Sequence, residues 1–153
     1  MIPFLVDMSR LFELFIAEWM KINTPSDYEI RPQERVEISE DGIVYFNIDL
    51  VLYDKMNNNS ACCVLDSKYK RHENPLPTDI AKVGIYAVAK NCKLGVLIYP
   101  TNKVNHINSY IGSSNIKVCS LSFSLEEDID IAGKKFLQNL SLIIQSTKQQ
   151  SFT

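Results

Sequence analysis

Two apolar runs, I-V-Y-F-N-I-D-L-V-L-Y (residues 43–53) and A-C-C-V-L-D-S-K-Y (61–69), flank a polar loop, D-K-M-N-N-N-S. Each run carries an aspartate among residues that need burial. Their β-branched and aromatic content reads as two strands of a hairpin. Symmetric closure around the loop sets Asp54 opposite Ala61, so that paired residue numbers sum to 115. Asp49 then stands opposite Asp66, and Asn47 opposite Lys68. Side chains at i and i+2 share a face, so Asp66 and Lys68 point one way and Ser67 the other.

Two carboxylates facing each other destabilise a sheet, and burying them unpaired costs more. A divalent cation resolves the conflict. Hard oxygen donors suit Mg²⁺, which commonly takes one or two carboxylates. Lys68 would stand beside the attacking water and the developing negative charge. Together these are the parts needed for metal-assisted hydrolysis of a phosphodiester. The competing interpretation is a solvated strand end with a weak Asp-x-Lys ion pair. Asp49, embedded in so apolar a strand, weighs against it.

The remaining pattern supplies a frame for this hairpin. Met8, Leu11, Phe12, Phe15, Ile16 and Trp19 recur at helical spacing, with Asp7 or Ser9 as cap and an end near Met20 or Ile22. Residues 28–38 alternate: Tyr28, Ile30, Val36 and Ile38 share one side and charged residues the other, with Pro32 marking an edge or bulge. Asp41-Gly42 is a hairpin turn. A capped helix spans about 79–90. The wholly apolar L-G-V-L-I-Y (94–99), stopped by Pro100, predicts a central strand. Residues 103–114 read as a polar loop, 116–123 as a last strand, and Ile129 onward as an amphipathic helix. The order α-β-β-β-α-β-β-α predicts an α/β fold: a mixed sheet flanked by helices. The aromatics Phe12, Phe15, Trp19 and Tyr86 read as core, and His106 as a surface residue without a partner.

With 153 residues, one domain over 1–148 and a flexible tail over 149–153 are expected. The net charge of −2 excludes a protein-wide positive field, so nucleic acid would need a local basic patch. Lys68, Lys70 and Arg71, followed by Lys82, Lys90 and Lys93, offer one, with a solvated loop as the competing reading; phosphate contact is favoured for Lys70. Cys62, Cys63, Cys92 and Cys119 lack C-x-x-C spacing, which argues for free thiols in a reducing cytoplasm rather than a zinc site. The apolar N-terminus has no basic leader and carries Asp7, Arg10 and Glu13, against a signal peptide or membrane span. There is no GxxxxGK[ST], so nucleotide hydrolysis would belong to a partner.

Five segments in order, M-S-R-L-F-E-L-F-I-A-E-W, I-D-L-V-L, V-L-D-S-K-Y-K, D-I-A-K-V-G-I-Y-A and V-L-I-Y-P, cover residues 8–100. In this series the chain resembles the PD-(D/E)xK nuclease superfamily, and within it the C-terminal nuclease domain of McrC-type restriction proteins. The resemblance implies a restriction-endonuclease-like αβββαβ core and Mg²⁺-dependent DNA cleavage, with Mn²⁺ as substitute. It implies Asp49 and Asp66 as metal ligands with the Ser67 main-chain carbonyl as a third, and Lys68 as the residue that positions or activates water. Glu13 matches the family's acidic position on the first helix. A direct or water-mediated reach to the metal and a plain exposed glutamate both stay open. Lys70, Lys82 and Tyr86 are candidate nucleic-acid contacts.

Two residues depart from the pattern. Ile48 stands where the superfamily often has Pro, and Lys82 where relatives commonly have Gln. The second departure keeps a catalytically silent DNA-binding or motor-docking module as the alternative. The resemblance further implies a McrB-type GTPase motor as partner, and double-strand cleavage would call for a transient homodimer. The chain opens almost at the nuclease domain, which leaves an isolated domain, a truncated copy or a short variant with another recruiter as readings.

Overall fold

A computed structural model describes residues 6–69 and 73–150. The element order is α1 (Met8–Asn23), β1 (Tyr28–Glu37), β2 (Tyr45–Asp54), β3 (Ser60–Ser67), α2 (Pro77–Ala89), β4 (Leu94–Tyr99), β5 (Asn108–Tyr110), β6 (Lys117–Ser122) and α3 (Ile129–Gln149). One six-stranded sheet has the order β1-β2-β3-β4-β6-β5. β1, β2 and β3 form an antiparallel meander. The α2 crossover then makes β4 parallel to β3, and β6 adds parallel to β4. This mixed α/β sheet flanked by helices is the architecture expected from the sequence, and it is compatible with a restriction-endonuclease-like fold.

Alternation along the strands divides the core in two. Leu50, Leu52, Cys63, Leu65, Val96 and Ile98 point toward α1 and α3, which contribute Phe12, Ile16, Met20, Phe136 and Leu140. Val51, Tyr53, Val64 and Leu97 point the other way, onto Val83, Tyr86 and Ala87 of α2. β4 is central and buried at every residue, which is why it reads as an unbroken apolar run. Among the described residues no helix is long and apolar enough to cross a membrane.

Helix ends follow local chemistry. The Asp7 carboxylate caps α1 by accepting from the Arg10 N–H at 3.0 Å. Pro77 occupies the first turn of α2, where its missing N–H costs nothing. Asn91, in the left-handed region at φ 53°, follows the end of that helix.

Three details depart from the expected pattern. β5 lies within the stretch read as a polar loop; it is a three-residue exposed edge strand and too short to show alternation. His106 is exposed but has partners, with Nδ1 3.1 Å from Ser120 Oγ and Nε2 3.4 Å from Ser122 Oγ. β1 does not keep one apolar side. Tyr28 and Ile30 pack against the α1/α3 core, whereas Val36 packs against the α2 core. The switch falls between Pro32 and Glu34, where Gln33 adopts φ 52°. All four cysteines are free thiols.

Candidate active site

The β2–β3 ladder sets the site. Its register is Leu52↔Cys63, Val51↔Val64 and Leu50↔Leu65, so numbers sum to 115 at this end. One step further stand Asp49 and Asp66. Near the loop the pairs are instead Asp54↔Ser60 and Tyr53↔Ala61. The symmetric closure expected from the sequence, with Asp54 opposite Ala61, is therefore off by one residue. An irregularity between Leu52 and Tyr53, where Cys62 is the extra residue of β3, restores the sum.

Asp66 is 1% exposed at the end of β3. Its neighbour in the sheet is Leu97 of β4, and the ladder continues one residue past the strand where the Lys68 N–H donates to the Ile98 carbonyl at 2.8 Å. The backbone carrying Asp66-Ser67-Lys68 is thereby fixed on its β4 side. Asp49 Oδ2 accepts from the Ser67 N–H at 3.2 Å and from Ser67 Oγ at 3.3 Å. The Ser67 side chain thus turns to Asp49 rather than away from the site as alternation alone predicts, drawn by the carboxylate that accepts from its hydroxyl.

The electrostatics follow from that crowding. Burial, the adjacent Asp66 carboxylate and Glu13 push Asp49 up to about 7. Lys68 Nζ lies 2.8 Å from Asp66 Oδ2 and 3.5 Å from Asp79 Oδ1. Burial disfavours its charge, but these two carboxylates outweigh that and raise its pKa, so Lys68 stays an ammonium. Lys82 Nζ lies 3.9 Å from Asp66 Oδ1 and 5.5 Å from the centroid of the Tyr86 ring. Tyr86 itself is 4% exposed and packs edge-on against Phe46, so it offers little surface of its own.

These groups line a cleft of about 400 Å³ at the end of the sheet between α1 and α2. Glu13 enters from α1, and Asp79 and Lys82 enter from α2. The Glu13 carboxylate accepts from Arg10 Nη1 at 3.0 Å and from the Gln33 side-chain amide. Gln33 is a site neighbour that the strand pattern did not mark; Pro32 was its only signal. Tyr99, at the end of β4, also lines the cleft. It is 2% exposed, and its hydroxyl has no hydrogen-bond partner among the described residues. A tyrosine ending an apolar strand looks like core in sequence, so nothing there pointed to it. Lys70, a candidate phosphate contact, lies outside the described residues.

The donor set fits a hard divalent cation. Asp66 Oδ2 is buried and, despite the ion pair, makes no aligned hydrogen bond. The Asp49 carboxyl lies beside it, held at a pKa well above the usual carboxylate range. No group of three or more His, Cys, Asp or Glu side chains among the described residues forms a ready cage. Two carboxylates with a main-chain carbonyl nonetheless match the sparse protein coordination of Mg²⁺.

The class these features define is an α/β protein whose mixed sheet carries an aspartate pair and a lysine at one end, in a cleft between helices. A family model described as McrBC 5-methylcytosine restriction system component matches residues 1–100. The chain therefore belongs to the McrBC 5-methylcytosine restriction system component family, consistent with a McrC-type protein. The match spans α1 to β4 and includes every residue lining the cleft. No curated protein matches the chain.

Proposed function

We propose that this chain is the cleavage component of a modification-dependent restriction system, hydrolysing DNA phosphodiesters with Mg²⁺. The observation that carries it is the pair Asp49 and Asp66, one half-buried and the other fully buried, with Lys68 held against them at the mouth of a cleft. Carboxylates whose pKa values are driven up by burial and a like charge in a cleft are concentrated at functional sites.

Asp49, Asp66 and the Ser67 carbonyl would hold the cation. When bound, Mg²⁺ supplies Lewis-acid polarisation of the phosphodiester. Lys68 is held by Asp66 and Asp79 and stays protonated, so it stabilises developing negative charge and orients water; it does not abstract a proton. Glu13 adds a further carboxylate on the α1 side of the cleft. Lys82 and Lys70 are offered for backbone phosphates. The family description supports DNA carrying 5-methylcytosine as substrate and a McrB-type protein as partner; on the same reading that partner is a GTPase motor and the setting cytoplasmic. Cutting both strands would take a transient homodimer.

Incubating plasmid with the protein and Mg²⁺ or Mn²⁺, with and without chelator, tests this. Metal-dependent nicking that disappears in Asp66→Ala is expected, and equal nicking by both proteins would overturn the assignment. A second reading, a silent DNA-binding or motor-docking module, is favoured by one observation: Lys82 stands beside Asp66, where it places a positive charge next to the metal position. That reading expects DNA or motor capture with neither metal binding nor cleavage.

A further inference from the structure

Asp66 is flanked by two ammonium groups, and they are not equivalent. Lys68 is clamped between Asp66 and Asp79, with its side chain 20% exposed. Lys82 has a single carboxylate partner, at the long distance of 3.9 Å, and its side chain is 45% exposed. Its other neighbour is Tyr86, whose ring centroid lies 5.5 Å away and whose hydroxyl feels the ammonium through charge and a side-chain hydrogen bond; that neutral partner holds a cation less firmly than a second carboxylate would. Lys82 is therefore the one of the pair that can leave without breaking a second ion pair. While it stays, it lends Asp66 Oδ1 a positive charge. A divalent cation drawn to the same carboxylate meets like-charge repulsion from it.

We propose that Lys82 is a tethered counter-cation that occupies Asp66 until a DNA phosphate draws it away, so that divalent metal and DNA bind cooperatively. This rests on the metal-dependent nuclease reading. The physical steps are short. Without DNA, Lys82 neutralises part of the acidic cluster of Glu13, Asp49, Asp66 and Asp79, and so weakens the cluster's hold on a cation. A phosphate entering the cleft offers Lys82 a competing anion. Its swing toward that anion uncovers Asp66 Oδ1, and the cluster's charge then favours the metal. By linkage the reverse coupling has the same size: bound metal releases Lys82 to the DNA. Metal loading would thus be greatest where DNA is already present.

Mn²⁺ titration, followed by electron paramagnetic resonance on the full chain, tests this with and without a short phosphorothioate-linked duplex. The Asp66→Ala protein defines which binding belongs to the site. Lys82→Gln is expected to bind Mn²⁺ roughly tenfold tighter than wild type without DNA, within the ordinary range of coupling between sites. DNA should tighten Mn²⁺ binding to wild type and to Lys82→Arg, which keeps the charge, by a larger factor than to Lys82→Gln, where only the cation's own attraction to the phosphate remains. Equal Mn²⁺ affinities for wild type and Lys82→Gln, with binding still lost in Asp66→Ala, would overturn the role of Lys82 while leaving the metal site standing. Absence of any Asp66-dependent Mn²⁺ binding would overturn both.

Discussion

Asp49 and Asp66 meet across the end of the β2–β3 ladder, and burial, reinforced by that proximity, makes Asp49 hold its proton to about pH 7. In the unfolded chain the same group ionises near 3.8. Between those values the folded state binds more protons than the unfolded state, so stability falls as pH rises from about 4 to about 7. Thermal melts in chelator should show this decline, and Asp49→Asn should remove it. Because a cation that binds only the folded state stabilises it, Mg²⁺ added above pH 7 should raise the melting temperature of wild type and not of Asp66→Ala. A wild-type profile flat across this window, matching Asp49→Asn, would show that Asp49 is neither desolvated nor crowded by Asp66 as drawn.

Lys68 should matter for rate far more than for DNA affinity. Its ammonium is spent on Asp66 and Asp79 and stands at the cleft, where charge would develop on the phosphate. Lys68→Met keeps the apolar stem and removes that charge. Loss of one well-placed donor of this kind typically slows an acyl- or phosphoryl-type step by about 10²–10³. Single-turnover nicking by Lys68→Met should fall by that order, with duplex affinity changed less than about threefold by gel shift. A drop in affinity that accounts for the whole loss would make Lys68 a phosphate-binding residue only.

Tyr99→Phe separates packing from chemistry in the same cleft. The hydroxyl is buried without a partner among the described residues, and burial raises its pKa to about 12. Removing an unsatisfied buried hydroxyl is near neutral or stabilising, by up to about 1–2 kcal/mol. The variant should therefore melt at or above the wild-type temperature. If the hydroxyl serves a bound phosphate or water, nicking should fall several-fold in spite of that gain. A destabilised variant would mean that the hydroxyl is satisfied in solution.

Much of this site was legible because it depends on short-range rules. Period-two alternation set Asp66 and Lys68 on one face, and a like-charge pair in apolar strands demanded an explanation. The register came out at 115 beside the site through two departures that cancel: the loop closes one residue tighter than expected, and the Cys62 irregularity inserts one residue back. A bulge of this kind leaves no mark in a run as uniform as A-C-C-V-L. The irregularity of β1 at Gln33 was marked only by its neighbour Pro32, which placed an edge or bulge there without showing which way the chain turns. A non-glycine residue at φ 52° is set by its surroundings and not by its own preference; here its side-chain amide reaches Glu13 across the cleft's edge. The pairing of Lys68 with Asp79, and the approach of Lys82 to Asp66, depend on how α2 crosses the sheet. Spacing along one strand carries no information about that.

Gly133 tests the packing that holds α1, and with it Glu13, over the cleft. A Cβ at this position would lie 2.0 Å from Cζ2 of Trp19 and 2.6 Å from Cη2. The indole cannot simply swing aside, since it stacks edge-on against Phe123 at 4.9 Å in the core. Helix propensity favours Ala over Gly by up to about 1 kcal/mol inside a helix such as α3. Overpacking a filled core costs about 1–3 kcal/mol, and here that cost should win. Gly133→Ala is expected to unfold at lower denaturant, with an altered Trp19 emission maximum that reports the displaced ring. Combining it with Trp19→Phe, which shortens the clashing side chain, should recover most of the loss. If Gly133→Ala instead proves more stable than wild type, α1 and α3 pack less tightly than the Gly133–Trp19 contact requires.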